Sequence, residues 1–220
     1  WTTSGGKTRM DVVLFTYHHT LPGLLNPEFL KKEIQLYKAI YQEAWGSSPP
    51  MSKGFWPAEC AFSERIIPVL LEEGITWTYV ANSHISRAYP EWPGTAYNTD
   101  PPNRADQRNV FPLGYTPQWR AASIDGRPTT NELRYSYRPH YARYVDPETG
   151  QEYKIIVVPM ADYESYVDGY QMFPVDLFDE IAAAGEPSQP PLVVLAHDGD
   201  NAWGGGYDSW MINTPNKAQE

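Results

Sequence analysis

The sequence predicts an α/β fold built on a parallel sheet with covering helices. Three observations carry that expectation. Strand-like and helix-like segments alternate over residues 10–81, alternation resumes over residues 155–195, and three of the predicted strands run straight into clusters of histidine, carboxylate and tryptophan. In a β/α barrel the C-terminal ends of the strands share one face, and that face carries the active site. Segments far apart in the chain would therefore converge there.

Residues 10–17, Met-Asp-Val-Val-Leu-Phe-Thr-Tyr, form a β-branched and aromatic run that suits a buried strand and ends in His18-His19. A helix comes next: Asn26 serves as N-cap and Pro27 as first helical residue, Leu30, Ile34, Tyr37, Tyr41 and Ala44 recur at helical spacing, and Gly46 ends it. Gly54-Phe55-Trp56-Pro57 reads as a second short strand. Phe62, Ile66 and Leu70 then outline an amphipathic helix stopping at Gly74, shortened or kinked by Pro68. Residues 75–81 give a third strand.

From residue 82 to 153 the pattern changes to a Pro-, Asn- and Arg-rich stretch, too long for an ordinary connection. It is read as an insertion laid over one end of the sheet, a common place for substrate-shaping loops, within a single, partial β/α-barrel domain over residues 1–220. Within it, residues 141–145 and 151–158 flank Asp146-Pro147-Glu148-Thr149-Gly150 as a β-hairpin. The strand-like run 155–158, a helix over 175–184 closed by Gly185, and a strand over 192–195 complete the alternation.

Composition narrows the partners. Against 27 Asp and Glu stand 17 Lys and Arg, a net charge of −10, so nothing would neutralise a polyanion, and nucleic acid and anionic membrane surfaces are not expected partners. No run of about 18 apolar residues is present to span a membrane. With no signal peptide at the start, a cytoplasmic location is expected. Cys60 is the single cysteine, which excludes an internal disulfide framework. Aromatic residues make up 14% of the chain, many of them in polar surroundings, and such rings pack on the apolar C–H faces of sugars as readily as they fill a core.

Two carboxylates stand after strand ends. Glu59, beyond Trp56-Pro57-Ala58, is either a favourable charge at a helix N-terminus or a catalytic carboxyl walled by Phe55 and Trp56. Asp198, in His197-Asp198-Gly199-Asp200-Asn201, is either an Asx turn or the second carboxylate of a pair. A pair is what glycosidic bond cleavage requires. His18 and His19 suit hydrogen bonds to sugar hydroxyls; with His197, Asp198 and Glu59 they could also hold zinc, although no Cys or His spacing is diagnostic of a metal site. No phosphate-binding loop, dinucleotide fingerprint or serine-nucleophile elbow is present, and no cofactor is implied.

Three stretches together resemble glycoside hydrolase family 57. Tyr17-His18-His19-Thr20-Leu21-Pro22-Gly23-Leu24-Leu25 resembles its Y-H-H-x-x-L-P-L-L segment, Gly54-Phe55-Trp56-Pro57-Ala58-Glu59 its G-x-W-x-x-E segment, and Asp198-Gly199-Asp200-Asn201-Ala202-Trp203 its D-G-E-N-x-W segment. The resemblance covers residues 11–81 and 155–207. It implies an incomplete (β/α)7 TIM-like barrel and a retaining enzyme that hydrolyses or transfers α-glucosidic bonds of α-glucans. By the same resemblance Glu59 is the nucleophile and Asp198 the general acid/base, their carboxyl groups about 5–5.5 Å apart. His18, His19, Trp56, Asp162, His197, Asp200 and Trp203 would bind substrate. Asp200 replaces the family's glutamate with a side chain one methylene shorter. The family's opening strand and its helical region after the barrel lie outside this sequence, so further segments of a longer polypeptide are expected partners of this chain. Two other readings use the same residues: a metal-dependent, polysaccharide-deacetylase-like hydrolase with zinc on His18, His19 and Asp198, and a non-catalytic carbohydrate-binding barrel.

Overall fold

The computed structural model describes residues 3–6, 11–47, 50–82, 84–85, 135–161, 165 and 176–196. These fall into two compact units, one drawn from residues 1–80 and 139–158, the other from residues 81–138 and 159–220. Among the described residues no helix is long and apolar enough to cross a membrane.

The first unit is organised by an open sheet of four strands, β1 (Gly54–Phe55), β2 (Trp77–Ala81), β3 (His140–Val145) and β4 (Glu152–Met160), in the order β1-β2-β4-β3. β1 and β2 are parallel, with Gly54 opposite Trp77 and Phe55 opposite Thr78. Thr78 is fully buried, and its hydroxyl donates to the Phe55 carbonyl at 3.0 Å, which satisfies a polar group inside the core. On the other side of β1 the expected first strand contributes a single parallel bridge, Leu14 to Phe55. Its bonds are Leu14 N–H to Gly54 O at 3.0 Å and Trp56 N–H to Leu14 O at 2.7 Å. The segment is thus a short edge, because β1 offers it only two residues of partner.

The hairpin expected around residues 146–150 forms. β3 and β4 pair antiparallel from His140–Val157 to Val145–Glu152, and Asp146 closes the turn by accepting the Glu148 and Thr149 N–H groups at 2.8 and 3.0 Å. Gly150 has φ +71°, a conformation that favours glycine. β4 lies next to β2, so the hairpin extends the sheet itself. The barrel expected from the strand–helix alternation does not close among the described residues: the antiparallel β3 occupies the edge where a further parallel strand would have to pair.

Helix α1 (Pro27–Trp45) forms as its signals require. The Asn26 side chain accepts the Phe29 N–H at 2.8 Å, Pro27 opens the first turn, and Gly46, φ +62°, ends it. Leu30, Ile34 and Tyr41 are buried, Tyr37 is half-buried, and Ala44 is exposed. The second helix is shorter than its apolar pattern: a 3-10 turn over Glu64–Ile66 leads into α2 (Ile67–Glu72), with Pro68 in its first turn and Gly74 at φ +75° beyond it. Lys38 fastens α1 to the end of α2. Its Nζ donates to the Glu73 carbonyl and carboxylate, both at 2.6 Å, and Gln35 adds a bond to the same carboxylate at 2.8 Å. Burial raises the Glu73 carboxyl, and these donors outweigh it to hold the group below its ordinary range.

In the second unit, α3 (Asp176–Ala184) contributes Ile181 to a small core with Tyr137 and Ala161, against which Val193 and Leu195 pack. Residues 192–195, expected as a strand, form no ladder among the described residues. Leu192 N–H bonds Tyr137 O at 2.7 Å, and Val194 O accepts from Ala161 N–H at 2.9 Å. Two separate partners hold the segment, so the repeated pairing that defines a strand does not accumulate.

Gly54 is where close packing admits no side chain, since a Cβ there would lie 2.2 Å from the Trp77 ring. Gly54→Ala is expected to cost about 1–3 kcal/mol in denaturant unfolding. In a Trp77→Ala background the added cost should shrink, because the obstructing ring is gone.

Candidate active site

The site begins where β1 ends. Trp56 is still held by Leu14, Pro57 is buried and Ala58 is fully buried, so the chain is tied down up to one residue before the carboxylate. Glu59 then adopts φ 57°, ψ 25°, and Cys60 continues with φ 55°. Two successive left-handed residues reverse the chain, closed by Ala61 N–H to Ala58 O at 3.0 Å and Phe62 N–H to Cys60 O at 2.8 Å. The Glu59 side chain is left 69% exposed. The apolar wall expected from Phe55 and Trp56 does not enclose it, since Phe55 is taken wholly into the core and Trp56 turns its ring edge-to-face with Tyr79 at 5.6 Å.

A second turn, residues 16–20, carries the histidines. Thr16 is fully buried, its hydroxyl donates to the Thr20 carbonyl at 2.7 Å, and the His19 N–H donates to the Thr16 carbonyl at 2.9 Å. His19 is the third left-handed non-glycine residue, φ 57°. Among the described residues, positive φ outside glycine occurs at His19, Glu59 and Cys60 and nowhere else. Such conformations cost about 1–2 kcal/mol each and persist where surrounding contacts impose them, a pattern that clusters at functional sites. Here they bring two expected site residues together: His19 Nε2 lies 3.6 Å from Glu59 Oε1. His19, Phe15 and Trp56, with Asp11, Val12 and Val13, line a surface cleft of about 410 Å³.

His18 points elsewhere. Its ring Nδ1 lies 2.8 Å from Glu33 Oε1, and its backbone N–H donates to Glu33 Oε2 at 2.9 Å. The Thr20 hydroxyl donates to the same oxygen at 3.4 Å. Burial pushes the Glu33 carboxyl up, but the His18 backbone N–H, the His18 ring and the Thr20 hydroxyl outweigh it and hold the group below its ordinary value. Sequence reasoning missed Glu33. The signal was present, because Glu33 falls three residues after Leu30 and beside Ile34, on the face of α1 that the helical period assigns to the core. A carboxylate there needs donors, and the histidine turn supplies them.

Asp162, His197, Asp198, Asp200 and Trp203 lie outside the described residues. Among the described residues no group of three or more His, Cys, Asp and Glu side chains is placed to hold a metal ion.

An α/β unit with parallel strands, whose strand ends present a strained carboxylate beside a histidine, has the layout of enzymes that keep their chemistry at the C-terminal edge of a sheet. Residues 5–214 match Glycosyl hydrolase family 57, and the chain belongs to that family. It is 36% identical over 225 residues to an alpha-amylase of Niallia circulans, across 94% of this chain and 17% of that protein. It therefore spans a small part of that relative's length. The solved structure of a 4-alpha-glucanotransferase from Thermococcus litoralis superposes with a TM-score of 0.56 at 15% identity, covering 94% of this chain and 25% of the other. That likeness is one of fold.

Two outcomes are expected of these local arrangements. Because the folded Glu33 carboxyl titrates below its ordinary 4.5, its contribution to stability is present above that value and is lost as pH falls through the depressed one. The unfolding free energy should drop on acidification, and less steeply in Glu33→Gln. Glu59→Gly should raise stability by up to about 1 kcal/mol, since relief of a left-handed residue exceeds the extra chain entropy of glycine. Thermal or denaturant unfolding measures both.

Proposed function

We propose that the polypeptide containing this chain is a retaining glycoside hydrolase or transglycosylase acting on α-glucosidic bonds of α-glucans, with Glu59 as nucleophile and Asp198 as general acid/base. The observation that carries this reading is Glu59 itself: an exposed carboxylate held in a strained backbone at the end of β1, with His19 at 3.6 Å, in a chain of this family. A core-facing or capping carboxylate would have no need of that strain.

The reaction runs in two displacements. In the first, a Glu59 oxygen attacks the anomeric carbon, the bond to the leaving oxygen breaks, and Asp198 supplies the proton that oxygen needs. In the second, Asp198 takes a proton from water or from an acceptor sugar hydroxyl, whose oxygen attacks the same carbon and releases Glu59. Exposure suits Glu59 to this work, because a nucleophile must be within reach of the ring. His19 would hydrogen-bond a sugar hydroxyl beside the reacting carbon, and Trp56 would offer an apolar face to a sugar ring. His18, Asp162, His197, Asp200 and Trp203 complete the substrate contacts.

The test uses maltooligosaccharides and the full-length polypeptide. Wild type should change their length distribution, with longer products marking transfer and shorter products alone marking hydrolysis. Glu59→Gln should lower turnover by several orders of magnitude with folding intact. Undiminished turnover in that variant would overturn the reading, as would stoichiometric zinc with activity lost to a chelator.

A further inference from the structure

Beside the histidine turn lies a buried charge that belongs to none of the sequence-predicted site residues. Glu33 is 3% exposed, whereas the His18 ring it bonds is 61% exposed. A carboxylate enclosed to that degree cannot meet a polymeric substrate. Its oxygens instead divide their duties between two parts of one residue: Oε2 takes the His18 backbone N–H, and Oε1 takes the His18 ring nitrogen Nδ1. Tyr17 packs edge-to-face on that ring, centroids 4.8 Å apart, and braces it from the side.

We propose that Glu33 is a positioning residue that locks the His18 imidazole in the tautomer protonated at Nδ1 and so presents Nε2 outward as a hydrogen-bond acceptor for a sugar hydroxyl. For the neutral ring, matching of donors to acceptors requires this tautomer. An ionised carboxylate can only accept, so the ring nitrogen 2.8 Å away must donate. In neutral imidazole one nitrogen donates and the other accepts, hence a proton fixed on Nδ1 leaves a lone pair on Nε2. Nε2 makes no hydrogen bond to the described residues, and the exposure of the ring leaves it open to a ligand. Burial makes the arrangement firm, since leaving Glu33 without these donors would strand a buried charge. A neutral His18 therefore arrives with its polarity already chosen, and a hydroxyl meeting its Nε2 must donate. Carboxylates orient ligating histidines in metal sites by the same logic.

The inference rests on the glycosidase reading for its substrate, and the experiment separates the two. Glu33→Gln is the informative variant. The amide oxygen can still accept the His18 backbone N–H, while the amide NH2 must donate to Nδ1 and so moves the ring proton to Nε2. In the full-length polypeptide, Glu33→Gln is expected to lower kcat/KM on maltooligosaccharides about ten- to a hundredfold. The double variant Glu33→Gln with His18→Ala should be no worse than His18→Ala alone, because the carboxylate acts through that ring. Full additivity of the two losses, or a folded Glu33→Gln with wild-type kcat/KM while Glu59→Gln is inactive, would overturn the proposal. Neutron diffraction from wild-type crystals, at a pH where histidine is neutral, gives a reading independent of activity and of the variant's folding. A deuteron on His18 Nδ1 supports the assignment, and one found on Nε2 or on the Glu33 carboxyl overturns it, whether or not the protein proves to be a glycosidase.

Discussion

Two residues, Gly54 and Phe55, hold the first unit together. They form the whole of β1, yet they carry bonds to both sides: Leu14 lies along one edge, and Trp77 and Thr78 lie along the other. The absence of a side chain at Gly54 lets the Trp77 ring lie against the strand, and Phe55 fills the core beneath it. So short a strand gains little from its own pairing. Its stability comes from burial on both sides and from the Thr78 hydroxyl that ties β2 back to it. The chain leaving β1 is thereby delivered to a fixed point.

Glu59 stands just beyond that point, and its backbone shows the consequence. The chain is pinned through Ala58 and must turn at once, so the left-handed conformation falls on residues whose side chains oppose it. The same happens at His19, where a turn anchored by buried Thr16 and by Glu33 forces the histidine toward Glu59. Strain at each position is sustained by well-satisfied neighbours rather than by the site residues themselves. The division of labour is clear in the carboxylates: Glu33 is buried and fully engaged, and Glu59 is exposed and reaches one histidine. The first builds the surroundings, and the second stands open to solvent.

Much of the fold was legible because its signals are local. Asn26, Pro27 and Gly46 bound α1, Pro68 and Gly74 bound α2, and Asp146 with Gly150 makes the hairpin turn, each through contacts within a few residues. The segment at residues 192–195 and the length of the first strand depart from expectation for the opposite reason. A strand exists only through its partner, and apolar character cannot report how many residues a distant partner will offer. The place of the hairpin beside β2 is a non-local choice of the same kind.

From sequence alone, the chain determined its helices, its hairpin turn, its family and its stock of reactive side chains, since these depend on residue type and short spacing. Tertiary structure decided which of those side chains meet. His18 and His19 are neighbours of the same type, and only the packing of α1 beneath their turn gives one to Glu33 and the other to Glu59. Glu33 joins the histidine turn for a physical reason that no motif expresses: a carboxylate carried into a core by its helical phase must find donors, and His18 and Thr20 supply them.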